Sequence, residues 1–378
     1  MRRIYLDWNA TAPPHPDVLA AIADAQRDGW ANPASSHGPG RRARAYVEAA
    51  REAVAALLGF DARDVVLTGG GTEANNLAIT HAFSGDVARS LVVSGVEHPS
   101  VGRFADALAA RGVAVERAAP EPSGAVAVAS VVDAVGRASA RAPVALVSLQ
   151  AVNHETGVLQ PVAEVREALP SSILLHVDAV QAVGRVDAAR WAGADLVTMA
   201  AHKIRGPKGV GAIATRAGVT LRPVLLGGAQ ERGLRPGTQD GAACAGLAVA
   251  AALARSTPAA YAAVGARRDA FEARLVGAGR AARNGDAPRA PHVSNLSFAG
   301  WHGDELAAAL DLEGVACSSG AACSAGTAEL SVVVAAMLGP LRAASALRFS
   351  AGAETSAADF EDAADRVARV VERARGGR

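Results

Sequence analysis

Only two of the 38 basic side chains in this 378-residue sequence are lysines, Lys203 and Lys208, which leaves 38 − 2 = 36 arginines. High Arg and Ala usage is the ordinary product of a GC-rich genome. Against that background a surviving lysine marks a place where a guanidinium cannot substitute. One chemistry has that requirement: a Schiff base needs a primary amine that can lose its proton, and arginine stays protonated. Both lysines lie in Ala201-His202-Lys203-Ile204-Arg205-Gly206-Pro207-Lys208-Gly209. Gly-Pro-Lys-Gly reads as a turn into a strand, so Lys208 is taken as a solvated turn residue and Lys203 as the reactive amine.

Asp178 closes the run Leu174-Leu175-His176-Val177, 25 residues before Lys203. Alone, a carboxylate there could cap the strand, bind a metal or a ribose, or face a protonated ring nitrogen. Beside a Schiff-base lysine the last reading gains weight. These are the two groups that pyridoxal-phosphate chemistry cannot easily omit, because the acid keeps the ring nitrogen protonated and able to accept a carbanion's electrons. Gly69-Gly70-Gly71-Thr72-Glu73-Ala74-Asn75-Asn76 offers an anion cradle, with bare glycines, free helix-start N–H groups and the Thr72 hydroxyl. A tight turn capped by Thr72 accounts for the same residues equally well. His98 follows Glu97. A lone histidine is more often structural, but beside a pyridoxal ring an imidazole can stack and move protons.

Three cysteines, Cys244, Cys317 and Cys323, do not make a disulfide framework. Cys323 lies among small residues, Ser318-Ser319-Gly320-Ala321-Ala322-Cys323-Ser324-Ala325-Gly326. Such a stretch suits a nucleophile that must reach a site and leave with cargo. Cys244 is read as a small buried hydrophobe, and Cys317 as a thiol buried at the end of the strand-like run Gly314-Val315-Ala316. Cys-x5-Cys also prompts a metal reading, but no second Cys/His pair accompanies it, and no metal is expected.

These residues need a frame. From Val65 to Thr215, short apolar runs alternate with helical stretches. Strands are expected at Val65–Thr68, Ser90–Ser94, Val144–Leu149, Ile173–Val177, Leu196–Met199 and Gly209–Ala214, with helices such as Asn75–Phe83 and Ser100–Arg111 between them. Runs apolar on both faces point to a mostly parallel sheet covered by helices, and ligands of such sheets bind at the carboxyl ends of strands. Thr72, His98, Asn153, Asp178 and Lys203 all fall there. After Arg255 a long Ala/Arg helix (Pro258–Gly277) and strands at Val293–Phe298 and Ala346–Ser350 suggest a smaller α+β unit. The expected domains are a large α/β domain over 14–255 and a small α+β domain built from 1–13 plus 256–378, the latter carrying the cysteine loop at about 315–331.

Length suggests two or three domains, and 50% hydrophobic residues can fill a large core. A net charge of +1 gives no sign of direct nucleic-acid binding or of an anionic membrane partner. The start of the chain lacks an apolar signal region. The longest apolar run, Gly246–Ala254, falls short of the roughly 20 residues a membrane span needs. A soluble, cytoplasmic protein is expected.

Taken together, the motifs resemble those of the cysteine desulfurases, fold-type I pyridoxal-phosphate enzymes of the class V aminotransferase superfamily, in the group with a long catalytic loop. The resemblance runs nearly end to end. It is carried by Tyr5-Leu6-Asp7, Asn9-Ala10-Thr11, Asn32-Pro33-Ala34-Ser35-Ser36-His37, Gly71-Thr72-Glu73-Ala74-Asn75-Asn76 and Glu97-His98. Further along come Val152-Asn153-His154-Glu155-Thr156-Gly157, His176-Val177-Asp178-Ala179-Val180-Gln181, His202-Lys203, Glu231–Thr238 and Ser318–Cys323.

The resemblance implies a Schiff base on Lys203, Asp178 on the ring nitrogen, Gln181 on the phenolic oxygen and His98 stacked on the ring. It implies Gly71, Thr72 and His202 at the phosphate, with Thr238 reaching the phosphate site of the other subunit of an obligate homodimer. Asn153 would contact cofactor and, with Arg348, the carboxylate of L-cysteine. Cys323 would take the sulfur as a persulfide, releasing alanine, for delivery to a protein acceptor such as an iron–sulfur scaffold or a thiolation enzyme. Selenocysteine lyase, another class V aminotransferase-like enzyme and a low-turnover sulfur-carrier scaffold are the alternatives. The chain departs from the pattern at Ala200, where Ser or Thr is usual, at His154, where a second Asn is common, at Leu330, where Pro is common, and at Trp8.

Overall fold

The computed structural model describes residues 2–83, 88–219, 221–320 and 330–376; Cys323 lies outside them. The strands are β1 (Ile4–Tyr5), β2 (Val65–Thr68), β3 (Ser90–Ser94), β4 (Ala114–Ala118), β5 (Val144–Ser148), β6 (Leu174–Asp178) and β7 (Leu196–Ala200). They continue with β8 (Gly211–Thr215), β9 (Ala282–Arg283), β10 (Val293–Ser297), β11 (Val315–Ala316), β12 (Ser318–Ser319) and β13 (Ala346–Ser350). The helices are α1 (Pro16–Asp28), α2 (Gly38–Leu58), α3 (Gly71–Ala82), α4 (Pro99–Ala110), α5 (Val128–Ser139) and α6 (Val162–Ala168). They continue with α7 (Gly241–Ala254), α8 (Thr257–Val276), α9 (Gly303–Leu312), α10 (Val332–Leu338), α11 (Pro340–Ala344) and α12 (Ala357–Gly376).

Seven strands build the main sheet in the order β2-β8-β7-β6-β5-β3-β4. The run from β7 to β4 is parallel throughout, and only β8 runs against its neighbours. β2, β3, β5, β7 and β8 are buried at every position, which is why they read as unbroken apolar runs. The expected strands therefore stand within two residues of their observed ends. β4 was not expected. It is the sheet edge, and Glu116 and Arg117 interrupt its apolar signal. Helix α3 starts at Gly71, four residues before the expected start, so the helix terminus itself lies on the glycine motif.

The apolar stretch 246–254 is the second half of α7, which packs against α1 and α2. Small residues permit this close approach: a Cβ on Gly246 would stand 2.8 Å from Ile22 Cγ1.

A second, antiparallel sheet has the order β12-β13-β10-β9. Its largely aliphatic core holds an aromatic cluster, with Phe271 edge-on to Phe349 at 5.1 Å and packed beside Phe360. The start of the chain belongs to this region. β1 pairs in parallel with β11, and Asp7 bridges to Ser350. Residues 7–10 are thereby carried across to the ends of β6 and β7.

Candidate active site

Asp178 is the last residue of β6, and β7 runs out through Ala200 into the single turn Ala201–Ile204 that carries His202 and Lys203. Asp178 is buried. Asn75 Nδ2 donates to its Oδ2 at 2.8 Å, and the Val180 N–H donates to its Oδ1 at 2.9 Å. Both donors are neutral, so they fix the carboxylate without cancelling its charge, as a group that must face a protonated ring nitrogen requires. Asn75 also donates to Ser100 Oγ at 2.8 Å and accepts from Thr198. It lies one turn along α3 from Thr72, and it was not assigned a role from sequence.

The Lys203 amine donates to two main-chain carbonyls, those of Asn9 and, at 3.0 Å, Ala10. Gln181 Nε2 donates to the same Asn9 carbonyl at 3.0 Å. The Asn9 side chain extends this hub: Nδ2 donates to His154 O at 3.2 Å, and Oδ1 accepts from Arg185 at 2.8 Å. Arg185, fully buried, also donates to the carbonyls of Trp8 and Lys203 at 3.1 and 2.9 Å. Asn9 and Arg185 thus hold the lysine segment against the start of the chain. Neither role was expected from sequence, since each depends on a partner far away in the chain.

His98 caps α4, its Nδ1 accepting from the Ser100 N–H at 3.1 Å. Burial lowers its pKa, opposed by Asp178 and aided by Lys203 and Arg348. A neutral ring that accepts at Nδ1 carries its proton on Nε2. His154 meets it edge-on, with centroids 5.2 Å apart. Burial also holds His154 well below the usual histidine range, with the charges on His98, Arg348 and Lys203 adding to the effect.

The loop between them is braced by Asn153. Its Oδ1 accepts from the Glu155 and Thr156 N–H groups at 2.9 and 2.8 Å, and its Nδ2 donates to Val96 O at 3.1 Å. Arg348, on β13, donates to His154 O at 3.0 Å and to Asp7 Oδ1 at 2.8 Å, and its Nε is buried without a partner among the described residues. Asn153 and Arg348 therefore converge on one peptide from opposite sheets.

At the start of α3, Gly70 has φ 144°, and a Cβ on Gly71 would lie 3.0 Å from Val180 and 3.4 Å from the Ala200 methyl. The positive φ of Gly70 favours glycine and a side chain at Gly71 would crowd Val180, and the first-turn N–H groups of α3 have no intrahelical acceptors. Thr72 is exposed beside them, while His202 Nδ1 lies 3.2 Å from Thr11 Oγ1. Burial first, then the charges of Lys203, Arg185 and Lys208, lower His202 to about 4, so it is neutral at physiological pH. Thr238 is exposed, beyond a turn in which Glu231 and Arg232 adopt left-handed backbone and Glu231 pairs with Arg51 at 2.6 Å. It takes no part in the network around Lys203 among the described residues.

Lys208 is exposed, as expected. Cys244 is buried and its thiol pushed up to about 12; Cys317 is half-buried rather than buried as expected, and desolvation and then Asp7 raise its thiol. Neither is a ready thiolate.

An anion cradle at a helix start, a buried carboxylate held by neutral donors and a lysine amine in the turn after the next strand define a pyridoxal-phosphate site. The chain belongs to the class V aminotransferase family, whose sequence profile matches residues 4–362. Within that family it is 39% identical over 369 residues to a cysteine desulfurase of Cereibacter sphaeroides, covering 96% of this chain and 94% of that one. It is 40% identical over 395 residues to a cysteine desulfurase of Frankia sp., covering 98% and 92%. Among solved structures, a NifS-like protein superposes with a TM-score of 0.88 at 28% identity, covering 98% of this chain and 99% of that chain. SspA in complex with cysteine superposes with a TM-score of 0.78 at 28% identity, covering 92% and 98%. The fold is that of fold-type I pyridoxal-phosphate enzymes, and the cofactor is pyridoxal phosphate.

Proposed function

We propose that this chain is a cysteine desulfurase that converts L-cysteine to L-alanine and leaves the sulfur on Cys323 as a persulfide. Its family and its cysteine desulfurase relatives support this reading. The observation that carries it in this chain is that the buried, neutrally held Asp178 ends β6 while the neighbouring strand β7 leads into the turn bearing the Lys203 amine. Bound pyridoxal phosphate supplies the electron sink that stabilises negative charge at the substrate Cα.

Lys203 would hold the cofactor and then serve as the amine that takes and returns a proton. Asp178 would keep the ring nitrogen protonated, and Gln181 would bond the phenolic oxygen. Gly71, Thr72, His202 and the first turn of α3 would receive the phosphate. His98, fixed through Nδ1, would stack on the cofactor ring with its proton on Nε2. Arg348 would take the substrate carboxylate together with Asn153, exchanging its Asp7 partner for the ligand. Cys323 would accept the substrate sulfur as it leaves carbon, so that one thiol becomes one persulfide and one cysteine becomes one alanine.

The same reading makes the protein a cytoplasmic homodimer, with Thr238 serving the partner's phosphate site. It divides the chain into the large and small domains drawn at 14–255 and at 1–13 plus 256–378. It delivers sulfur to a protein acceptor, iron–sulfur assembly being one such use. The test is to incubate the pyridoxal-phosphate-loaded protein with L-cysteine and dithiothreitol. Alanine and sulfide should appear in equal amounts, and absence of both overturns the assignment. Light scattering of the same sample should give twice the 38.0 kDa chain mass.

A further inference from the structure

Glu155 has no part in the reaction as proposed, yet it is almost wholly buried beside it. It follows Asn153 and His154 in the braced loop, and its carbonyl accepts from Asn295 Nδ2 on β10 at 3.1 Å. Its Oε2 accepts from Ser331 Oγ at 2.5 Å. Ser331 is buried too, and its Oγ accepts from the Val334 N–H at 2.9 Å as the cap of α10. The Ser331 hydroxyl is thus fixed between a helix start and the carboxyl.

The other neighbour is Gly320, which directly follows β12. A Cβ on Gly320 would stand 2.8 Å from Glu155 Oε2 and 2.5 Å from Ser331 Cβ. Only a residue without a side chain can come so close. Residues 320 and 331, with ten residues between them in sequence, therefore touch each other and the same carboxyl group. Cys323 is among those ten. Burial pushes Glu155 up to about 7, with Ser331 and Arg348 acting the other way, and both the acid and its anion can accept the Ser331 proton.

We propose that Glu155 is a positioning residue for sulfur acceptance: its carboxyl ties both ends of the span bearing Cys323 to the loop that carries Asn153 and His154. The proposal rests on the reading of Cys323 as the acceptor. Fixing both ends of a short span restricts where its interior can go, and an intramolecular attack gains rate from that restriction.

The experiment compares holoenzyme with Glu155→Ala, Glu155→Gln and Gly320→Ala. Three quantities are read: the spectral change of bound cofactor on adding L-cysteine, persulfide on Cys323 by mass spectrometry, and hydrogen exchange across 316–334. Glu155→Ala should slow persulfide formation about tenfold or more while the spectral change stays within about threefold, and exchange across 316–334 should quicken. Glu155→Gln, which can still accept from Ser331, should restore both persulfide rate and exchange. Gly320→Ala should reproduce the selective loss with the carboxyl intact. Persulfide formation at the native rate in Glu155→Ala overturns the proposal, and so does a parallel loss of the spectral change, or unaltered exchange. If the native enzyme forms no persulfide on Cys323, the functional reading fails on its own, and the exchange comparison still decides whether Glu155 holds the two ends.

Discussion

At the scale of single residues, Lys203 and Ala200 carry the sharpest expectations. The Lys203 amine sits on the carbonyls of Asn9 and Ala10 in a pocket that holds a cation without consuming its chemistry. Lys203→Arg keeps the charge and loses the nucleophilic amine. The variant should keep its far-UV circular dichroism but retain no cofactor after borohydride treatment and denaturation, and its turnover should vanish. Cofactor still fixed to the variant chain would show that another residue holds it. Ala200 ends β7 with its methyl group against the start of α3. A hydroxyl there would add one hydrogen bond to a charged phosphate, worth about 1.5–3 kcal/mol, or roughly tenfold or more in affinity. Ala200→Ser should therefore bind pyridoxal phosphate more tightly in a fluorescence titration, and equal or weaker binding counts against Ala200 lining the phosphate site.

At the scale of elements, the two cysteines of one short stretch should behave differently. Cys317 lies between β11 and β12, where desolvation raises its thiol, and such a thiol is inert. Cys317→Ala should keep most activity. Cys323→Ala should form no persulfide while its bound cofactor still responds to L-cysteine. Peptide mapping decides, and a persulfide on Cys317 alone reverses the assignment. What the sequence made legible follows the same division. Strands buried on both faces announce themselves as apolar runs, and the polar residues at or just after their ends, Asp178, His98 and Lys203, could be picked out as candidates. β4 was hidden because its outer residues meet water. Asn9, Asn75, Arg185 and Glu155 were hidden for another reason. Asn75 meets Asp178 across 103 residues and Arg185 meets Asn9 across 176, and local periodicity carries no trace of such pairs. The Asp7 partner of Arg348 belongs with them.

For the whole molecule, the buried titratable groups set a pH optimum of stability. Burial raises Glu97 to about 8 and Glu155 to about 7 from 4.5. In the window above 4.5 the unfolded chain releases protons that the fold retains, so their contribution is lost as pH rises through 7 and 8. Burial lowers His176 and His202 to about 4 from 6.5, and lowers His98, His154 and His292 as well. Their contribution is present above 6.5 and is lost as pH falls toward 4, because the unfolded chain then takes up protons the fold refuses. Five histidines oppose two carboxyls below 6.5, and the carboxyls act alone above it. The thermal midpoint of the cofactor-free protein should peak at about pH 6.5–7 and fall on both sides. A midpoint that climbs steadily from pH 5 to 8.5 would contradict this.

The pairing of β1 with β11, and of Asp7 with Ser350, has a consequence in time as well as in space. Residues 4–10 leave the ribosome before every strand of the main sheet, and β11 and β13, which receive them, leave after all of those strands. Until then β1 is an unpaired edge, and the segment whose carbonyls hold the Lys203 amine is held only from the main-sheet side, by Gln181 and Arg185. Synthesis of β11 and β13 is thus the event that completes the setting of Lys203. Ribosome-arrested chains halted before β13 should leave Lys203 unable to capture pyridoxal phosphate, even though every strand of the main sheet has already been made.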